Sequence, residues 1–304
     1  MKLKYIVTGG AGFIGSNLVD NLLNDNHTVH VIDNFSTGKK ENCNPKAIYH
    51  EYDISDFSIS NELIEIMENS DGLFHTAALA RVQQSIENPI KYETNNTFGT
   101  LNILKCAADA NLRRVVYSAS SSAYGDKKEM PCKETDQINP ISPYANQKYY
   151  GEVQAKMFAE LFNIETVSLR YFNVYGERQN IDGAYATVMG IFAHQKMNNL
   201  PMTIRGDGKQ RRDFTYVGDI VSANRLAMTS ENVGKGEVIN VGSGKNFSVN
   251  QIAELMEGET TFVDPVVEPR ESLALIEKAK KLLKWQPNQS VEDWIPKYKK
   301  QLGI

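Results

Sequence analysis

Tyr5-Ile6-Val7-Thr8-Gly9-Gly10-Ala11-Gly12-Phe13-Ile14-Gly15 is the stretch that decides the fold. It opens as a short apolar strand, passes through a glycine turn and enters a helix. Gly9, Gly12 and Gly15 are three residues apart. After a strand and before a helix, each has its own use. The first lets the chain turn tightly, the second lets backbone approach a pyrophosphate, and the third lets helix and strand pack closely. The helix N-terminus, with Phe13 and Ile14 in its first turn, offers N–H groups and a positive dipole end to phosphate. A second strand over 28–32 ends in Asp33, about 20 residues on, where a carboxylate accepts hydrogen bonds from an adenosine ribose; Asn34 follows it. Glycines alone have a plainer reading, helix–strand packing. The strand before them and the acid after them favour a dinucleotide. Asp33 favours NAD over NADP, because it repels a 2′-phosphate, while Lys39 and Lys40 pull the other way.

The 304 residues suffice for one large α/β unit or two modest domains with a sizeable core. Net charge is −4, which leaves no nucleic-acid footprint. Cys43, Cys106 and Cys132 are scattered and odd in number, so neither a disulfide frame nor a metal site is expected, and a reducing cytoplasm is. Met1-Lys2-Leu3-Lys4 runs straight into the first strand, which argues against a signal peptide. No apolar run approaches a membrane span.

Outward from the glycine turn, strands and helices alternate. A third strand is expected over 47–52, ending at Asp53-Ile54. There Asp53 either faces an adenine or caps a helix. Residues 59–67 have helical spacing. Residues 72–78 form a fourth strand that runs into Ala77 and Ala78, small residues past which a cofactor's pyrophosphate and ribose can thread. His75, near its end, reads better as a packed structural histidine than as a catalytic one. A helical pattern from Asn88-Pro89 to Ala110 carries Asn95. Residues 113–118 form a fifth strand ending at Ser118. The alternation implies right-handed β-α-β units, a parallel sheet, and ligands outside the strands' carboxyl ends. Ser120-Ser121-Ser122 falls at that edge, although serine runs are commonly plain loops.

Pro143 suits a helix start, and the helix is expected to run to Phe162. Tyr144 and Lys148 are four apart and share one face. On an ordinary surface this pair means nothing. Beside a dinucleotide it has a mechanism. A free phenol has a pKa near 10. A neighbouring ammonium and a positive nicotinamide ring both favour the phenolate. Lowering the value to about 7 takes roughly 4 kcal/mol of differential stabilisation. Tyr144 then serves as a general base for a substrate hydroxyl.

Thr8-Gly9-Gly10-Ala11-Gly12-Phe13-Ile14-Gly15, the serine-rich loop with Ala123-Tyr124-Gly125, and Tyr144-x-x-x-Lys148 resemble the extended short-chain dehydrogenase/reductase family. Leu169-Arg170-Tyr171-Phe172-Asn173-Val174-Tyr175-Gly176 and Arg212-Asp213-Phe214 narrow the resemblance to nucleotide-sugar epimerases and dehydratases. It extends to residues 278–287. The resemblance implies a doubly wound Rossmann sheet, a bound NAD and hydride removal from sugar C4. It makes Tyr144 the base, Lys148 the ribose-binding tuner, and Ser120 the partner of the C4 oxygen. The cofactor set it implies is Gly9, Gly12, Phe13, Ile14, Gly15, Asp33, Asn34, Asp53, Ile54, Ala77, Ala78, Asn95 and Ser118, with Tyr144, Lys148 and Tyr171. Ser121 and Ser122 line the sugar pocket; Asn173 meets the diphosphate and Arg212 pairs with it, unless Arg212 merely pairs with Asp213. Gln179, Thr187, Val188 and Arg270 complete the substrate set, with Arg270 in the diphosphate role. No metal is implied.

A 4,6-dehydratase needs a carboxylic acid and a carboxylate beside the catalytic hydroxyl, and such relatives carry Thr-Asp-Glu there. Ser120-Ser121-Ser122 has neither group, so epimerisation is expected. A UDP-uronic acid epimerase or decarboxylase stays open. Arg81 lies near the expected pocket and can bind a carboxylate or the diphosphate, or stand in solvent. Ser272 aligns with a size gate at which a small residue resembles enzymes that admit an N-acetyl group. UDP-N-acetylglucosamine/UDP-N-acetylgalactosamine exchange is therefore expected, with the plain UDP-hexoses alongside. The loop from Val266 to Ser272 is short for the family. A non-catalytic NAD-binding scaffold and a net oxidoreductase that releases its reduced cofactor are the readings of other classes. Residues 1–171, with a returning segment over about 212–241, form the expected NAD domain; 172–211 and 242–304 form the smaller, interleaved α/β sugar-nucleotide part. The helices near 92–110 and 144–162 resemble the pair that builds a four-helix dimer interface in relatives, so a homodimer is expected.

Overall fold

The computed structural model describes residues 2–181, 186–265 and 268–304. From the amino end, β1 (Lys4–Thr8) leads through the glycine turn into α1 (Phe13–Asn24), followed by β2 (Thr28–Ile32), β3 (Ile48–His50), α2 (Ser60–Met67) and β4 (Gly72–His75). Next come α3 (Val82–Glu87), α4 (Pro89–Glu93), α5 (Gly99–Asp109), β5 (Arg114–Ser120), α6 (Pro143–Leu161) and β6 (Glu165–Tyr171). The second part holds β7 (Val174–Tyr175), α7 (Val188–Met197), β8 (Met202–Arg205), β9 (Arg211–Arg212), β10 (Thr215–Tyr216), α8 (Val217–Thr229) and β11 (Lys235–Val241). It closes with β12 (Phe247–Ser248), α9 (Val249–Met256), β13 (Thr260–Val263), α10 (Glu277–Leu283) and α11 (Val291–Leu302).

Seven strands form one sheet in the order β11-β6-β5-β4-β1-β2-β3. Every pairing in it is parallel. A parallel sheet is covered on both faces, which is why its inner strands are unbroken apolar runs. Ile6, Val7, Val115, Val116, Val167 and Leu169 are fully buried. Leu18, Val19 and Leu22 of α1 pack on one face together with Ile220 and Ala227 of α8. Leu63 and Met67 of α2 and Ile103, Leu104 and Ala107 of α5 cover the other. A separate smaller core gathers Met189 and Phe192 of α7, Met202 and Ile204 of β8, Ile252 and Met256 of α9, and Trp294 and Ile295 of α11. The chain reverses from one side of the sheet to the other between β1 and β4, the point where such sheets bind ligands.

Some expected elements differ in detail. The third strand is short, three residues at the sheet edge. The single helix expected from Asn88 to Ala110 is segmented. Pro89, which lacks an N–H to donate, opens a new helix at α4. A π-turn at Thr94–Phe98 then separates α4 from α5. Asn96 in that turn clamps Leu79, accepting from its N–H at 2.8 Å and donating to its carbonyl at 3.0 Å. Residues 242–304 do not all side with the smaller part: Ile276, Ala279, Leu283 and Trp285 join the core under the large sheet. Among the described residues no helix is long and apolar enough to cross a membrane.

Candidate active site

A cleft of about 1000 Å³ opens at the carboxyl ends of β1, β2, β4 and β5 and runs to the β8–β9 side of the smaller part. Its floor is the glycine turn. Gly9 has φ +70°, and a Cβ there would lie 2.7 Å from the Ala77 Cα. A Cβ on Gly15 would lie 2.2 Å from the Gly9 carbonyl oxygen. At Gly12 a Cβ would meet only that oxygen, at 3.2 Å, so its open side is the cleft. Gly12 also caps α1 without any side-chain hydrogen bond, which leaves the first-turn N–H groups beside Phe13 and Ile14 for a ligand.

Asp33 ends β2 in the cleft wall and is buried. Its carboxylate accepts from the N–H of Ala11 at 2.9 Å and of Phe35 at 2.8 Å. Burial pushes its pKa up while those two N–H groups hold it down. Asn34, Ile54, Ala77, Ala78 and Asn95 also line the cleft. Asp53 does not. It accepts from Asn34 Nδ2 at 2.9 Å and from the Ser55 N–H and hydroxyl at 2.8 and 2.6 Å, which makes it a turn-former behind the wall.

Ser142 caps α6 by accepting from the Ala145 N–H at 3.2 Å, with Pro143 in the first turn. This start fixes Tyr144 at the cleft, where its N–H donates to Ser85 Oγ at 3.2 Å. The Tyr144 phenol stands beside Ser120, whose hydroxyl favours its ionised form. Ser120 ends β5 and accepts from Ser122, from its N–H at 3.2 Å and its hydroxyl at 2.8 Å. Lys148, one turn along α6, donates to the Ser118 carbonyl at 2.7 Å and lies 4.9 Å above the Tyr117 ring. Ser118 Oγ pairs with the Tyr171 hydroxyl at 3.0 Å. Tyr144, Lys148, Ser118, Ser120, Ser121, Ser122 and Tyr171 thus meet in one corner of the cleft. His75 is packed out of reach, bonded to Thr8 Oγ1 at 2.7 Å and Thr100 Oγ1 at 3.0 Å, and burial lowers its pKa to about 3.

The electrostatics of the corner differ from the expectation. Burial raises the Tyr144 phenol above its ordinary value, and the hydrogen bond from Ser120 and the charge of Arg81 pull it down. Burial also lowers the pKa of Lys148 to about 7, and the nearby Glu152 opposes that fall.

At the far end Asn173 donates to the Ser272 hydroxyl at 3.0 Å and to the Asp213 carbonyl at 3.1 Å. Thr187 caps α7, and with Val188 it lines the cleft. Gln179 stands behind the wall and accepts from the Thr187 hydroxyl at 2.8 Å. Arg212 lines the cleft and pairs with Glu268 at 2.6 Å. It does not pair with Asp213, whose carboxylate is fully buried and accepts from the N–H groups of Ser243, Gly244 and Ala274. Arg270 turns away, held to the exposed Asp207 at 2.8 Å. Arg205 and Glu268 are wall residues that the sequence reading passed over. Strand position and loop length gave no sign of which arginine would face inward. Val266, where the short loop begins, lies outside the described residues.

Residues 5–242 match the model of the NAD dependent epimerase/dehydratase family. The chain belongs to that family. It is an NAD-dependent enzyme, and the glycine cradle, the uncapped first turn of α1 and Asp33 fit the cofactor. A protein of Methanocaldococcus jannaschii with the provisional name UDP-glucose 4-epimerase is 38% identical over 297 residues, 95% of each chain. Among solved structures, the UDP-glucose 4-epimerase of Thermotoga maritima with UDP-glucose has TM-score 0.92 and 35% identity, covering 99% of this chain and all of the other. The UDP-N-acetylglucosamine 4-epimerase of Methanobrevibacter ruminantium, in complex with UDP-N-acetylmuramic acid, has TM-score 0.89 and 37% identity, covering 99% and 96%.

Proposed function

We propose that this enzyme is a UDP-sugar 4-epimerase, and that its sugars are the N-acetylglucosamine/N-acetylgalactosamine pair, with glucose/galactose as further substrates. The observation that carries the reading is the corner of the cleft that brings the Tyr144 phenol and Ser120 together with Lys148 one turn behind. When bound, NAD would supply the acceptor for the sugar C4 hydride and return that hydride to the opposite face of the resulting ketone. Tyr144 takes and gives back the C4 hydroxyl proton once a cation beside it offsets the burial that holds its phenol protonated. Ser120 holds the C4 oxygen, and the Ser122 hydroxyl, 2.8 Å behind, backs it. Lys148 binds the ribose nearest the reacting ring. Asn173 and Arg212 take the diphosphate, Arg212 with its two-pronged donor set. Elimination at C6 is disfavoured, since Ser121 and Ser122 supply no acid.

Ser272 supports the N-acetyl reading: it is small and lines the cleft beside Asn173. Arg81 favours a second reading, a uronic acid, because it lines the cleft and its charge reaches Tyr144. Proton NMR of UDP-N-acetylglucosamine, UDP-glucose and UDP-glucuronic acid with the protein and no added cofactor separates them. C4 inversion of the first supports the reading, and inversion of the glucuronic acid alone favours the second.

The homodimer expectation comes from the resemblance of the helices near 92–110 and 144–162 to a dimer interface in relatives, and exposed apolar side chains on them support it: Ile90 on α4, Phe98 in the π-turn, and Tyr150, Val153, Met157 and Leu161 on α6. Two copies joined through these helices bury those side chains, as large apolar patches require. The three cysteines are free thiols, in keeping with the cytoplasm as the enzyme's compartment.

A further inference from the structure

Three charged side chains are buried together behind the reactive corner. Lys148 and Glu152 are one turn apart on α6, and Arg170 projects from β6; each is 3–4% exposed. Buried charge is costly unless matched. Glu152 and Arg170 match each other fork to fork, with Arg170 Nε donating to Oε1 at 2.8 Å and Nη2 to Oε2 at 2.6 Å. The guanidinium lies 4.7 Å over the Tyr124 ring, and Tyr124 donates to Asn240 Oδ1 at 2.7 Å. The carboxylate is thus fixed from behind and cannot swing away from α6.

Among the described residues Lys148 has no carboxylate in contact; its ammonium meets a carbonyl and a ring face. The titratable groups around it are His75 on β4, Tyr117 on β5, Tyr171 and Arg170 on β6, and Tyr144 and Glu152 on its own helix. His75 and the three phenols are neutral near pH 7. Arg170 is cationic. Glu152 is the negative charge that opposes the desolvation of Lys148.

We propose that Glu152, clamped by Arg170, is a positioning residue: it keeps Lys148 an ammonium so that Tyr144 meets a cation when substrate binds. The proposal rests on the roles given above to Lys148 and Tyr144. A purely structural role, pinning α6 to β6, would change stability and leave the proton chemistry alone.

The test uses Glu152→Gln, which keeps shape and removes charge, and the double variant E152L/R170M, which removes both members of the clamp and so strands no guanidinium, leaving Lys148 as the one buried charge of the three. The pH titration of the Lys148 side-chain nitrogen is followed by 15N NMR, its signal assigned by its loss in Lys148→Met. The pH profile of kcat and the KM for the UDP-sugar are measured in parallel. In both variants Lys148 should release its proton at least about one pH unit lower, and kcat at pH 8 should fall about tenfold, with a loss that shrinks as pH falls and KM unchanged. An unmoved Lys148 titration, or a loss equal at every pH, overturns the proposal. If Tyr144→Phe proved fully active, the functional reading would fail instead, while the Lys148 titration would still report on Glu152.

Discussion

Adding one methyl group at Gly15 and one at Gly12 separates fold from cofactor binding. At Gly15 the new Cβ would sit 2.2 Å from the Gly9 oxygen, 2.8 Å from Thr76 Oγ1 and 2.9 Å from the Gly10 Cα. Ordinary contacts start at 3.4 Å, so the glycine turn or α1 must shift by about 1 Å. Overpacking of this kind costs about 1–3 kcal/mol. At roughly 2–4 °C per kcal/mol, Gly15→Ala should melt about 2–12 °C lower even without ligand. Gly12→Ala is different. Its φ of −81° and ψ of −179° suit alanine, and its Cβ touches only the Gly9 oxygen, at 3.2 Å. Unliganded stability should stay within about 0.5 kcal/mol. The methyl projects into the cleft where the pyrophosphate passes, so NAD affinity should fall about 10–100-fold, or roughly 1.4–2.8 kcal/mol. The assay is thermal melting with and without NAD, together with the NAD released on denaturing the purified protein. Full NAD retention by Gly12→Ala would refute the placement of the cofactor on this turn, and equal unliganded melting of Gly15→Ala and wild type would refute the close packing argued at Gly15.

Two further outcomes follow from the same geometry. Ser272→Tyr replaces a hydroxyl that accepts from Asn173 at 3.0 Å with a ring that fills the N-acetyl space; the ratio of UDP-N-acetylglucosamine to UDP-glucose turnover should drop about 100-fold, and an unchanged ratio would dismiss the gate. His75 is neutral when folded, with its pKa lowered to about 3, so its contribution is complete above the unfolded value near 6.5 and is lost as pH falls toward 3. His75→Gln should flatten that part of a stability–pH curve measured by urea unfolding, and a curve of unchanged slope would contradict it.

What could be read from sequence was what local spacing encodes. The glycine turn, Asp33, the serines after β5 and the Tyr144–Lys148 pair lie within a few residues of a strand end or helix start, where periodicity and capping fix direction. Contacts between distant segments were not legible. Arg270 was expected at the diphosphate, but Asp207, 63 residues away in sequence, draws it outward. Arg212 pairs with Glu268 rather than Asp213, because four backbone and side-chain donors hold Asp213 inside. The burial at Tyr144 also escaped, since helical spacing reveals proximity to Lys148 and not the desolvation that raises the phenol and lowers the lysine.

The most direct measurement is the rate of C4 inversion by Tyr144→Phe, followed by proton NMR of the UDP-sugar, with bound NAD quantified in the same preparation. Loss of the proton-transferring phenol should slow inversion about 10²–10⁴-fold while NAD content stays at the wild-type level. Inversion within a few-fold of wild type, with the cofactor in place, would contradict the account.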